Sequence, residues 1–209
     1  MTAPVTKSAR TRQRILDAAA AVFREQGYAS ARLSDIAACA GIQTGSLYYH
    51  FDSREDLVAE ILRLGIETAW EHVRAAVDAL PPDAGAVERL AAALRAHTLA
   101  VVEISDYASA QAKIVGQVPP DIVGPHRKMQ RAYGEYWNDL LVDVERAGML
   151  RPGADLFTVR MLAFGAMNWT PEWVAPDRGD AAAVADQAVA MILHGVVAAP
   201  VGRKRRAVP

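Results

Sequence analysis

The chain has 209 residues, 52% apolar and 22% charged, which suits one large globular domain or a small one joined to a larger one. No stretch approaches eighteen uninterrupted apolar residues, so neither a membrane span nor a membrane partner is expected; the polar, basic start "MTAPVTKSARTRQR" is unlike a secretory signal and predicts a cytoplasmic protein. Net charge is −1, but residues 1–54 carry an excess of +3 and the remainder sums to −4, a basic front on an acidic body that suggests an anionic partner for the front.

In chain order, "RILDAAAAVFREQG" places Ile15, Ala18, Ala19, Val22 and Phe23 on one helical face and stops at Gly27. "LSDIAACAG" does the same with Leu33, Ile36, Ala37 and Ala40 and stops at Gly41. The single cysteine, Cys39, excludes an internal disulfide and is expected as a small buried side chain on this helix. Ser53, followed by Asp56, starts a long helix running to about Leu80, where "LPPD" breaks it. "VERLAAALRAHTLAVVEI" reads as one helix and "YASAQAKIV" as a shorter one. The loop "VPPDIVGP" leads to "HRKMQRAYGEYWNDLLVDVERAG", ended by Gly148. "DLFTVRMLAFGAMNW" is closed by Pro171 and Pro176, and "DAAAVADQAVAMILHGVVA" starts from Asp180. No alternating strand pattern or repeat is present, so the class is all-α with about nine helices.

Between the second helix and the long one lies "GIQTGSLYYHFDSREDL", crowded with hydrogen-bonding groups. Two short helices joined by the tight turn "AGIQT" match a helix-turn-helix, whose second helix enters the DNA major groove N-terminus first. Leu47 faces inward with Ile36, Ala37 and Ile42, while Thr44, Gly45 and Ser46 stand at the exposed end. Tyr48, Tyr49 and His50 can reach phosphate oxygens. Arg54, at a helix N-terminus that itself favours anions, can add a charged clamp.

The succession "ILDAA…F…GY", "DIA…AG", "GSLYYHF" and "SREDL" resembles the N-terminal region of the TetR family of bacterial transcriptional regulators over about a quarter of the chain. The resemblance implies a helix-turn-helix domain at 1–53, a helical ligand-binding and dimerisation domain at 54–202, and a basic tail at 203–209. It puts Thr44, Gly45, Ser46 and Tyr49 where the family reads bases, and Tyr48, His50 and Arg54 where it grips the backbone. Two positions depart from it. Arg32 stands where a Thr or Ser usually caps the second helix, with Ser30 or Ser34 available as substitutes, and can contact phosphate. Gln43 stands where a Ser, Thr or Asp caps the recognition helix, and its amide can read adenine.

Candidate ligand contacts on the middle helices are Thr98, Val102, Tyr107, Met129, Tyr133, Tyr136, Trp137 and Met161, apolar walls with a few hydroxyls. With no basic cluster evident, the expected effector is a small hydrophobic molecule. "FGAMNWTPEWVAPD" resembles a segment of relatives that respond to acyl-CoA thioesters. The last two helices are apolar on more than one face and need cover. The resemblance implies that a second subunit supplies it, through Phe164, Met167, Trp169, Val189 and Ile192, while Trp169 and Trp173 anchor the interface or close the pocket.

The five histidines are scattered without metal-ligand spacing, and no phosphate loop or nucleophile elbow is present, so neither an enzyme nor a cofactor is expected. The expectation is a repressor that binds double-stranded operator DNA as a homodimer and is released by its ligand. The competing reading is a helical protein-binding adaptor.

Overall fold

The computed structural model describes residues 6–124, 126–174 and 180–197. Among them are nine α-helices, one isolated antiparallel bridge (Leu150 with Val197) and no strand. None of these helices is long and apolar enough to cross a membrane.

Helix α1 (Lys7–Ser30) buries Ile15, Leu16, Val22 and Phe23, and its helical path breaks at Gly27, which takes a left-handed φ of 74°. Helix α2 (Leu33–Cys39) buries Ile36 and Ala37, and helix α3 (Thr44–Leu47) buries Leu47. Cys39, expected inside, is exposed: it lies on the outer face of α2, away from Ile36 and Ala37. Helix α4 (Arg54–Asp78) starts as the sequence predicts, with the Ser53 hydroxyl accepting from the Asp56 amide at 3.0 Å.

Helix α5 (Ala86–Leu99) continues directly into a π-helical turn, Ala100–Ile104, where one longer α-helix was expected. Helix α6 (Asp106–Ile114) follows, then α7 (His126–Arg146), α8 (Leu156–Trp169) and α9 (Ala181–Val196). Pro171 ends α8 through a short 3-10 turn, Thr170–Glu172; Pro176 and the basic tail lie outside the described residues.

Three apolar clusters hold the helices together. The first joins α1–α3 to Leu57, Val58, Ile61 and Leu62 of α4 and to Ala110 and Ile114 of α6. The second joins Ile66, Val73 and Val77 of α4 to α5, α7, α8 and α9. A small third one joins Ala69 to Ala100, Val101 and Ala108. Helix α4 thus contributes to all three, and α6 lies across its middle. The crossing is close because of Gly65: a Cβ there would sit 2.3 Å from Gln111 Cβ and 2.5 Å from the Tyr107 carbonyl oxygen.

Candidate nucleic-acid interface and ligand cavity

The turn between α2 and α3 is closed by backbone bonds. Gly41, at φ 65°, donates to Ala38 and Ile42 donates to Ala37 at 3.0 Å, a Schellman-like end for α2. The Arg14 guanidinium donates to the Ala40 carbonyl, tying α1 to this turn. Neither α2 nor α3 has a side-chain cap: Arg32 and Gln43 stand at the cap positions with extended backbone, and Ser34 bonds Asp35 instead of capping. With four residues, α3 cannot persist alone. It is held by Leu47 and Phe51, both buried in the first cluster.

What α3 does not bury forms one bare surface. Gln43, Thr44, Gly45, Tyr48 and Tyr49 are exposed, Tyr49 at 89%, and Ser46 and His50 are half-buried. None of their side chains makes a hydrogen bond among the described residues. Arg32 is exposed at the start of α2.

Arg54 is placed differently from the clamp expected of it. Its guanidinium donates to the Tyr28 and Ala31 carbonyls and lies 4.3 Å from the Tyr28 ring centroid, so it locks the start of α4 to the end of α1. Glu55 and Asp56 fill the first turn of α4, complementing the positive end of that helix and leaving little attraction for an external anion.

A cavity of about 550 Å³ opens between α4, α5, α6, α7 and α8. Helical spacing builds its walls. Arg127, Gln130, Arg131 and Gly134 recur three and four apart along one face of α7. Arg160, Met161, Phe164 and Asn168 do so on α8. Ile66 and Ala69 come from α4, His97 from α5, Gln111 from α6 and Val115 from its C-terminal cap. Arg127 and Arg131 are exposed at the mouth, with no salt bridge among the described residues, whereas Arg160 donates to the Gly134 carbonyl at 2.6 Å. These three arginines form the basic cluster that one-dimensional reading missed. The i, i+4 pair Arg127/Arg131 was its available signal, visible only once α8 is known to bring Arg160 alongside.

Of the expected ligand contacts, Tyr133 and Met161 line this cavity. Thr98 is fully buried and donates to the Leu94 carbonyl, and Trp137 is fully buried among aromatic rings. Met129 and Tyr136 pack against the second cluster. Val102 lines a separate cleft of about 690 Å³, whose Lys113 is already paired with Glu172 at 3.0 Å and whose Arg24 is paired with Asp106 at 2.8 Å. Tyr107 does not face the cavity: its hydroxyl donates to Asp17 and accepts from Gln13 at 3.0 Å, fastening α6 to α1. At the inner wall His97 is buried. Its Nδ1 lies 2.9 Å from the Tyr133 hydroxyl and its Nε2 2.9 Å from Asn168 Oδ1. Burial lowers its pKa to about 4 and pushes the Tyr133 phenol up.

The expected interface residues divide as well. Trp169 is exposed, but Met167 is completely buried and faces its own core. Phe164 lines the cavity, and Val189 and Ile192 are half-buried against the second cluster. The outward stripe of α8 is instead Met161, Leu162, Gly165, Ala166 and Trp169, and that of α9 includes Ala190, Met191 and Gly195. Leu162 is 70% exposed and Met191 77%.

Residues 15–61 match the family model "Bacterial regulatory proteins, tetR family", and residues 83–196 match "Tetracyclin repressor-like, C-terminal domain". The chain is 30% identical to the HTH-type transcriptional repressor KstR2 of Mycobacterium tuberculosis, over 88% of this chain and 92% of that one. A solved structure of that ketosteroid transcriptional regulator superposes with a TM-score of 0.74 at 27% identity, covering 95% of this chain and 100% of the other. The Fatty acid metabolism regulator protein of Bacillus subtilis is 23% identical over 87% of this chain and 93% of its own. AibR, solved in complex with isovaleryl coenzyme A and operator DNA, shares the fold with a TM-score of 0.76 at 24% identity, covering 87% of this chain and 97% of that one. With both halves matched and a relative similar over most of its length, the chain belongs to the TetR family of bacterial transcriptional regulators.

Proposed function

We propose that this regulator is a repressor that binds a near-palindromic operator as a homodimer in the cytoplasm and releases it when an amphipathic effector enters the cavity. The observation that carries the DNA half is the bare face of α3: hydroxyls, an amide and two exposed phenols with no hydrogen-bond partner among the described residues. Thr44, Gly45, Ser46 and Tyr49 read bases, with Gln43 available to an adenine. Tyr48, His50 and Arg32 meet the backbone. Two copies docked through the outward stripes of α8 and α9 place two α3 helices in successive major grooves, about 34–36 Å apart.

The cavity supports an effector with an apolar body and an anionic head. Ile66, Ala69, Val115 and Phe164 suit the body, and Arg127 and Arg131 suit the head. An acyl-CoA thioester has both parts, and a protein of the same fold, AibR, was solved with one. Effector contact with Gln111 acts on α6, which Tyr107 fastens to α1. A shift there changes the separation of the two α3 helices.

Titrating genomic fragments with the dimer tests the first half. Selective retention of fragments with inverted repeats is expected, and binding no stronger than to random DNA at moderate salt refutes it. Calorimetry with an acyl-CoA, with and without operator, tests the second. Each ligand must weaken the other by the same factor, roughly five- to 150-fold for ordinary coupling, and equal affinities with and without operator refute release.

A further inference from the structure

The hydrogen-bonded chain Tyr133–His97–Asn168, buried at its first two residues and half-buried at Asn168, bears on which effectors are accepted, on the reading that this cavity is the effector site. His97 is neutral in its apolar box of Trp137 and Phe164 edges, so it carries one N–H. Asn168 Oδ1 can only accept, so that proton sits on Nε2; Nδ1 is then an acceptor, and the Tyr133 hydroxyl must donate to it. Every hydrogen-bonding hydrogen in the chain is thereby used, save the two on Asn168 Nδ2. That nitrogen has no partner among the described residues, and Asn168 lines both this cavity and the adjoining cleft that holds Val102.

We infer that the inner end of the cavity is a hydrogen-bonding subsite. Asn168, held in orientation by His97, donates its amide to an oxygen of the effector, so that oxygenated apolar chains are preferred over plain hydrocarbon ones. A plain chain that seals the cavity strips water from the amide and gives it nothing in return; a hydroxyl or carbonyl restores the bond. Asn168 is the contacting group, and His97 is a positioning residue that acts through it.

The test uses the full chain and straight-chain acyl-CoA thioesters from hexanoyl to hexadecanoyl, each beside its ω-hydroxy counterpart. Binding is read by calorimetry and by the intrinsic tryptophan fluorescence, to which Trp137, 5.8 Å from His97 between ring centroids, contributes. At the chain length that reaches Asn168, the hydroxylated member should bind roughly three- to tenfold tighter. Asn168→Leu should erase this preference, so that the plain and hydroxylated members of each pair bind alike. His97→Phe should do the same, and Tyr133→Phe, which keeps the ring, should reduce it. Equal affinity within every pair for the unaltered protein overturns the inference, and needs no variant to fold. So does a preference that survives Asn168→Leu. Binding by no thioester of any length removes the acyl-CoA effector reading and the subsite with it, an outcome distinct from binding without preference.

Discussion

Burial keeps His97 neutral, and this ties stability to pH. Its pKa falls from 6.5 to about 4, so between these values the unfolded chain holds the proton and the folded one does not. Stability therefore drops as pH falls through that window, by about 3 kcal/mol from this residue. His126, lowered by burial to about 4, adds to the same slope. Glu60 extends it to lower pH: hydrogen bonds from Arg63 and Arg12 hold its pKa at about 2, and the stability this confers is lost as pH falls from 4.5 toward that value. Thermal melts across the acid range should show the fall, and His97→Gln should flatten it between pH 6.5 and 4; an unchanged slope refutes the assignment. Arg54 carries a second prediction. With its guanidinium on two backbone carbonyls, Arg54→Ala should cost roughly 1–3 kcal/mol in denaturant titrations. A phosphate contact alone would leave stability untouched and reduce only the salt slope of DNA binding. Sequence could name Arg54 as important but not its partner, because Tyr28 and Ala31 are brought to it only by the folded α1. The exposed letters of α3 were readable because a helix of four residues has one buried face, and Leu47 takes it.

Among the elements, α6 has the most consequential position and the least conspicuous sequence. Its Tyr107 and Gln111 pack over Gly65 of α4, and the Tyr107 hydroxyl holds Asp17 of α1. Gly65→Ala should force α6 outward, at a cost of roughly 1–3 kcal/mol, and should weaken the mutual antagonism of effector and DNA. A melt and paired calorimetric titrations check both, and a variant as stable and as responsive as the parent refutes the close-packing argument. Helix ends at Ser53, Gly148 and Asp180 were legible because capping and termination are local chemistry. The contacts of Tyr107 were not, since an aromatic on a short amphipathic helix fits a pocket wall and a helix–helix staple equally well. The same ambiguity put Met167 on the outside. A helix apolar all round hides which stripe faces its own core, and only packing assigns Met167 inward and Leu162 outward.

For the molecule as a whole, the exposed stripes of α8 and α9 are the faces through which the proposed dimer would form. Small residues at Gly165, Ala166 and Gly195 allow close approach, with Leu162, Trp169 and Met191 as apolar anchors. The double change Leu162→Glu and Met191→Glu should raise the dimer dissociation constant by roughly tenfold or more in sedimentation experiments. Operator affinity should fall in parallel, while binding to a single half-site stays weak and unchanged. A variant that remains dimeric refutes this placement of the interface. The all-α class was legible from periodicity. The cavity was not, because it exists only where five helices from distant parts of the chain converge.

The first apolar cluster does not end where the helix-turn-helix does. Leu57, Val58, Ile61 and Leu62 of α4 and Ala110 and Ile114 of α6 complete it. Anyone grafting a new operator preference onto this sensor therefore has a choice between two cuts. Exchanging only the outward side chains from Gln43 to Tyr49 leaves the shared core whole. Swapping the entire head at residue 53 pairs a foreign α1 with the native α6, and success then depends on matching Asp17, Gln13 and the Gly27 bend to Tyr107 and Gln117. The head and the sensor are parts that must be exchanged together with their seam.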